Sequence, residues 1–206
     1  MKKRKILTLA LAVCLTAILA IGGTIAYFTD QDSAINTFTM GAGVSIDLFE
    51  HDDDGDEVDG RTYSGVVPGV TYPKDPTVRN DGESSAWIRV NATLTNYDLF
   101  RAVAALHGVT DLSAIFGGHD ESKWTRAAIT EDATADSVTY SYYYNAVLAP
   151  GEVSAPLFTD VTIPGAFTGS DLEDLSSFEI RVTADAIQRD PFTSAAEAFA
   201  AFDAAD

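Results

Sequence analysis

The chain has 206 residues, and its 31 acidic side chains outnumber the 13 basic ones to give a net charge of −18. This length suits one domain with an adequate core, and a hydrophobic content of 46% excludes a wholly disordered chain. The acidic balance argues against nucleic acid and anionic membrane surfaces as partners, because both are negatively charged. A single cysteine excludes an intramolecular disulfide framework and a cysteine-clustered metal site.

Residues 1–26 have the pattern of an export signal. A basic stretch at residues 2–5 precedes an almost unbroken apolar run over residues 6–23, and small residues then occupy the positions expected before a cleavage site. We therefore predict that a signal peptidase cuts between Ala26 and Tyr27. An apolar run of this length is also typical of a membrane anchor, but the small residues and the polar stretch that follow favour cleavage.

Cleavage would remove the only cysteine and four of the 13 basic residues, but none of the 31 acidic ones. The mature chain is therefore expected to be secreted, in an extracellular matrix or at the cell surface, and to rely on packing rather than disulfide bonds. Membrane contact is expected only through the uncleaved signal. The predicted organisation is a signal at 1–26, a mature N-terminal segment at 27–43 and one β-sandwich domain with a C-terminal helix at 44–206.

Alternating apolar and polar residues predict that most of the mature chain is β-structure. The alternation is clearest at 44–50, 87–94 and 178–185, and Pro-Gly and Asp-Gly pairs mark turns between the strands. Further strands are predicted within 62–80, 124–129, 138–147 and 156–163. Short strands in this number indicate an all-β antiparallel sandwich.

Two parts of the chain change to a helical period. Four apolar residues fall at helical spacing: Leu99, Ala102, Val103 and Leu106. A second short helix is predicted at 112–116. Near the C-terminus, Ser194 and Glu197 form a predicted capping box that begins a helix over 194–205. These small helices are expected to be insertions in the sandwich and its closing element.

Several motifs, taken in chain order, resemble those of one known family. The sequence Ile-Gly-Gly-Thr-Ile-Ala-Tyr-Phe-Thr-Asp at 21–30 is the most specific, and Asn-Thr-Phe-Thr follows at 36–39. Weaker motifs come later: Pro68-Gly69, Lys74-Asp75-Pro76, Ile88-Arg89-Val90, Leu148-Ala149-Pro150-Gly151 and Ala186-Ile187-Gln188. The chain resembles the TasA/camelysin family of exported proteins of Gram-positive bacteria, whose signals are similar to substrates of the peptidase SipW.

The resemblance implies a jelly-roll-like antiparallel sandwich and a role as a biofilm-matrix or cell-surface fibre subunit. Within that family, subunits are joined head to tail by a donated strand, and a contact of this kind that does not close gives filaments. Tyr27, Phe28, Ile35 and Phe38 are the predicted donor residues. The alternative is that this segment pairs within its own sandwich. The expected partners are other copies of the chain or homologous matrix subunits.

An acidic loop at 51–60 suggests calcium, because carboxylates at alternate positions suit a hard cation. Asp52, Asp54 and Asp56 are the candidate ligands. The EF-hand register fails, since the position that requires glycine then falls on Glu57. A solvated acidic loop is the favoured interpretation.

The resemblance also implies an enzyme as an alternative, because camelysin-like relatives have been described as metallopeptidases. A peptidase would have to assemble its ligands from His51, His107, His119 and carboxylates. The sequence has no His-Glu-x-x-His motif and no two histidines four residues apart, which are the usual zinc spacings. We therefore expect no enzymatic activity, and no cofactor beyond the weak calcium candidate.

Tyr140, Tyr142 and Tyr144 are predicted to share one face of a strand, with Tyr143 on the other. A row of this kind could stack on sugars, which leaves a glycan-binding surface adhesin as a further alternative. Cross-strand packing is the more common use of such residues. The same two interpretations apply to the outward row of the 87–94 strand, which is Trp87, Arg89, Asn91 and Thr93.

Overall fold

The computed structural model describes residues 29–33, 43–63, 65–175 and 178–204. Its strands are β1 (Thr29–Ser33), β2 (Ile46–His51), β3 (Glu57–Val58), β4 (Thr71–Pro73), β5 (Thr77–Asn80), β6 (Ala86–Thr95), β7 (Phe116–Gly117), β8 (Trp124–Asp132), β9 (Ser137–Tyr144), β10 (Asp160–Thr162) and β11 (Ile180–Gln188). Its helices are α1 (Tyr97–Leu106), α2 (Gly169–Asp174) and α3 (Ala195–Asp203), with one 3₁₀ turn at Leu112–Ile115.

The strands form three antiparallel sheets. The main sheet has five strands in the order β1-β11-β6-β9-β8, and the smaller sheets have the orders β4-β10-β7 and β3-β2-β5. One hydrophobic core joins the inner face of the main sheet to residues of both smaller sheets, among them Leu48, Val78 and Val161. The all-β prediction is therefore confirmed as a mostly β chain with three antiparallel sheets and few helices.

The alternation in β6 shows why this sheet has one core-facing side. Ile88, Val90, Ala92 and Leu94 have no exposed surface, and they lie beside alternate residues of β11 and β9. Because successive side chains of a strand point to opposite faces, the intervening residues must lie on the outer face. The strand predicted at 87–94 is confirmed and is extended by one residue at each end.

Helix α1 is confirmed, but of the four residues in its predicted apolar stripe only Val103 is buried. Leu99 is 40% exposed and Leu106 is 82% exposed, whereas Phe100 and Ala104 are fully buried. The ring of Phe100 stacks on that of Phe178 at 4.6 Å between centroids. Contact with this aromatic partner, distant in sequence, sets the rotation of the helix. The second predicted helix is a single 3₁₀ turn.

Helix α2 was not predicted from the sequence. It begins with a capping box, in which the Thr168 hydroxyl accepts a hydrogen bond from the Asp171 amide and the Asp171 carboxylate accepts one from the Thr168 amide. This Thr-x-x-Asp spacing was a detectable signal. The segment is short and acidic, so it offers no apolar period to accompany the cap.

Helix α3 confirms the predicted C-terminal helix, with a different N-terminal cap. The Ser194 side chain accepts from the Glu197 amide, as predicted. The Glu197 carboxylate instead accepts from the amide and hydroxyl of Thr193, one residue before the cap. Phe199 of this helix stacks on Tyr143 of β9 with centroids 5.5 Å apart, so α3 covers part of the outer face.

The predicted cleavage site at Ala26 and Tyr27 lies outside the described residues, as do the donor candidates Phe28, Ile35 and Phe38. None of the helices in the described part of the chain combines the length and the apolarity that a membrane crossing requires.

We expect Phe100→Ala to lower the free energy of unfolding by about 3–5 kcal/mol, because it empties a fully buried aromatic site. The matched change in the same helix, Leu106→Ala, is expected to alter it by less than about 0.5 kcal/mol. Urea unfolding of both variants provides the measurement. Equal losses would show that the helix packs with the stripe that the sequence suggested.

Candidate functional site

The edge of the main sheet formed by β1 and β11 is the candidate site of assembly. Five residue pairs join the two strands, from Thr29 opposite Ile187 to Ser33 opposite Thr183. Strand β1 begins two residues after the predicted cleavage site. The segment predicted from the sequence to be the donor therefore contains a strand, β1, which in a single copy pairs with β11 of the same copy.

Strand β11 offers a well-formed surface for such pairing. On its other edge it is joined to β6 through nine consecutive residue pairs. Its core-facing side chains Val182, Ala184 and Ala186 are buried. A strand that is fixed along one edge and one face presents its remaining edge as a rigid template for another strand.

The outer face of β11 is held by one buried charge, that of Asp185. This residue is only 4% exposed, and its carboxylate accepts hydrogen bonds from Arg89 Nε at 2.7 Å and from Asn91 Nδ2 at 3.1 Å. Arg89 Nη1 also donates to Asp203 of α3 at 2.8 Å. Asp185, Arg89, Asn91 and Asp203 thus join β11, β6 and α3 in one network.

Arg89 holds this network together because its guanidinium group contacts two aromatic rings as well as two carboxylates. Its guanidinium carbon lies 4.7 Å from the ring centroid of Phe199 and 5.3 Å from that of Phe202. Burial alone would lower the pKa of Arg89, but the carboxylates of Asp203 and Asp185 outweigh that effect and the pKa is raised. The arginine therefore stays charged beneath the helix.

The predicted outward row of β6 is engaged in packing and hydrogen bonding. Besides Arg89 and Asn91, Thr93 Oγ1 lies 2.9 Å from Thr139 Oγ1 of β9. Trp87 packs against the cluster that includes Phe199. The residues considered for sugar stacking thus lie under α3 or bond to neighbouring strands.

The tyrosines of β9 are also packed. Tyr140 and Tyr142 are about 95% buried, and burial raises the pKa of Tyr140 to about 12. The Tyr144 ring packs on Trp124 with centroids 4.9 Å apart. Tyr143 lies on the outer face beneath Phe199. The predicted division between the two faces is confirmed, and both faces are used in packing.

The acidic loop is organised by Asp52. Its Oδ1 accepts hydrogen bonds of 2.9 Å from the amides of Asp54 and Asp56, and the amide of Asp56 above all lowers the pKa of Asp52. Among the described residues, no group of three or more His, Cys, Asp or Glu side chains is placed to hold a metal ion. The structure does not gather Asp52, Asp54 and Asp56 into a site, and calcium stays a prediction.

The three histidines have three separate partners. His51 Nδ1 lies 2.6 Å from Asp75 Oδ2, and His107 Nε2 lies 3.0 Å from Asp171 Oδ2. His119 Nδ1 lies 2.9 Å from the carbonyl oxygen of Leu157, to which it donates. The ligand set that a metallopeptidase would need is therefore not brought together in the described part of the chain.

Sequence reasoning missed a buried charged pair beside a large cavity. Glu50 is only 4% exposed although its side chain ends in a carboxyl group, and one of its carboxyl oxygens is paired with Lys74 Nζ. The alternation of β2 was the available signal, because Ile46, Leu48 and Glu50 share the core-facing side of the strand. A carboxylate that continues a core-facing row requires a partner.

No protein-family model matches the chain, and no curated protein or solved structure matches it either. The resemblance to the TasA/camelysin family therefore stays a prediction from motifs.

We expect Arg89→Met to lower the free energy of unfolding by about 3–5 kcal/mol, because it leaves the buried Asp185 carboxylate without its cation. The control Arg181→Met removes an exposed arginine of β11 and is expected to cost less than about 1 kcal/mol.

Adding Asp185→Asn to Arg89→Met should recover part of the loss, because it removes the unpaired charge. Denaturant unfolding of the wild type and three variants measures the coupling. If the double variant lost as much free energy of unfolding as the two single variants together, a direct interaction between Arg89 and Asp185 would be contradicted.

Proposed function

We propose that this chain is an exported structural protein, a subunit of a biofilm-matrix or cell-surface fibre. In the fibre, β1 of one copy pairs with β11 of the next copy. The observation that carries the proposal is the position of β1, a strand at the edge of the main sheet that pairs with β11 just after the predicted signal. The export pattern and the family resemblance support the same role. We further propose that the three sheets form a jelly-roll-like sandwich.

Exchange of β1 between copies would conserve the pairing energy. The same main-chain hydrogen bonds form whether β1 pairs with its own β11 or with that of a neighbour, so no new interface has to be created. Nine residues separate Ser33 from Gly43, where the next described segment begins. Such a segment can span up to about 30 Å when extended, which is enough to reach an adjacent subunit.

The exchange also explains how a fibre would grow. Each copy has one donor, β1, and one acceptor, the edge of β11, and the two lie on different parts of the assembling surface once β1 has left its own sheet. A head-to-tail contact between a donor and a different acceptor propagates unless its rotation closes a ring. The partner is therefore another copy of this chain or a homologous matrix subunit.

The acidic charge sets a condition for assembly. The mature chain would keep all 31 acidic residues but only 9 of the 13 basic ones, and this excess opposes association at neutral pH and low salt. Because salt screens charges that lie more than about 10 Å apart at 0.1 M, assembly is best assayed at several salt concentrations. Export to an ion-rich exterior would provide the same screening.

The test is negative-stain electron microscopy of protein that begins at Tyr27, beside a version that lacks residues 27–39. We expect filaments from the first and monomers from the second, because the truncation removes β1. A second variant, with Asp30→Pro and Gln31→Pro, removes both adjacent amide donors, one of which must face β11 in an antiparallel pair. Its matched control carries alanine at both positions.

Filaments from the alanine control but not from the proline variant would support strand exchange. Filaments from the truncated protein would show that assembly uses a different surface. Monomers from every version, across low and high salt, would contradict self-assembly.

A further inference from the structure

A cavity of about 930 Å³ lies beside the N-terminal part of β11, on the core side of the main sheet. Residues of β2, β10, β11 and α2 contribute to its wall, with Phe100 of α1. Its volume falls within the range of about 300–1,000 Å³ that is typical of small-molecule sites. It is separate from the edge of β11 that β1 occupies and from the network around Arg89.

The cavity has an apolar part and a polar part. Phe100, Leu172, Leu175, Phe178 and Ile180 line the apolar part, where the rings of Phe100 and Phe178 stack. Glu50 and Lys74 contribute the charged groups of the polar part, together with Arg61, whose guanidinium carbon lies 5.2 Å from the centroid of the Tyr63 ring. This division suits a ligand with an apolar body and a single polar group.

Glu50 has one oxygen that lacks a partner. Its side chain is 95% buried, and the other oxygen is paired with Lys74, whose side chain is itself only 11% exposed. Oε2 is buried and accepts no hydrogen bond from any described residue. Burial of an acceptor without a donor is unfavourable, so a ligand that brings a donor to this oxygen would gain a strong interaction.

The charges of the lining favour a cationic donor. Three cations of the lining already have carboxylate partners: Lys74 is paired with Glu50, Arg61 with Asp53 and Arg181 with Glu179. The lining also contains the exposed carboxylates of Asp59 and Glu173. An incoming carboxylate would meet no unmatched cation, whereas an ammonium group would meet a buried oxygen that needs a donor.

We propose that this cavity binds a small molecule with a primary ammonium group on an apolar body, and that the ammonium donates a hydrogen bond to Oε2 of Glu50. The apolar body lies against Leu172, Phe178 and Ile180, which are partly exposed. The site is independent of the strand exchange proposed above, since residues 183–187 of β11, which pair with β1, are not among the residues that line it.

The test is isothermal titration calorimetry of the purified protein with n-decylammonium, below its micelle concentration. Decanoate and 1-decanol serve as comparison probes, because they have a ten-carbon alkyl group like that of decylammonium but a different polar group. We expect one decylammonium to bind per chain and decanoate to bind at least about tenfold more weakly, because a hydrogen bond to a charged group has at least that effect. Decanol should fall between the two.

Glu50→Gln is expected to weaken decylammonium binding about tenfold or more and to change decanol binding much less. Glu173→Gln is the matched control, because it removes an exposed carboxylate of the same lining and should leave decylammonium affinity within about threefold. Leu172→Trp fills the apolar part and should abolish binding of all three probes. That variant keeps the test decisive if Glu50→Gln, which leaves Lys74 unpaired, fails to fold.

Three results would overturn the proposal. The first is decanoate binding as tightly as decylammonium. The second is an equal change in decylammonium affinity in the Glu50→Gln and Glu173→Gln variants. The third is binding of several decylammonium ions per chain that salt abolishes and Leu172→Trp does not change, since this would show adsorption to the acidic surface.

Discussion

The antiparallel register between β11 and β6 is the constraint on which the other features depend. Nine consecutive residue pairs place Asp185 opposite Arg89, and the ion pair between them lets Arg89 reach Asp203 and fasten α3 to the outer face. The same register puts alternate residues of both strands into the core. It also leaves the far edge of β11 available to β1. A shift of one residue would reverse every face and remove the ion pair.

Most of the described basic side chains form ion pairs, whereas the excess acidic side chains are mainly exposed. Seven described cations have carboxylate partners: Arg61, Lys74, Arg79, Arg89, Arg101, Arg181 and Arg189. The excess of acidic residues therefore lies mainly at the exposed surface, where it favours solubility and makes association depend on salt. Two of these pairs are mostly buried. One, at Arg89, fixes the sheet, and the other, at Lys74, leaves the Glu50 oxygen from which the ligand site is inferred.

The sequence predicts the parts of the fold in which local pattern and burial agree. Ile88, Val90, Ala92 and Leu94 alternate because one face of β6 is core, so the strand can be recognised without its neighbours. The rotation of α1 cannot be recognised in this way, because it depends on the contact of Phe100 with a residue 78 positions later. The functional features are non-local too: Arg89 and Asp185 are 96 residues apart in the chain. Two features gave a local signal: the segment after the export pattern, which contains β1, and Glu50, a polar residue in a core-facing row.

Strand exchange requires that β1 pairs with β11 of another copy within the fibre. Ser33→Cys and Thr183→Cys place two thiols opposite each other in the β1–β11 register, at a separation that suits a disulfide. The mature chain is expected to have no other cysteine. Filaments assembled under reducing conditions and then oxidised should give a ladder of covalent oligomers on a non-reducing gel, whereas Thr183→Cys alone should give no species larger than a dimer. Oxidised filaments that contain only internally cross-linked monomers would contradict strand exchange.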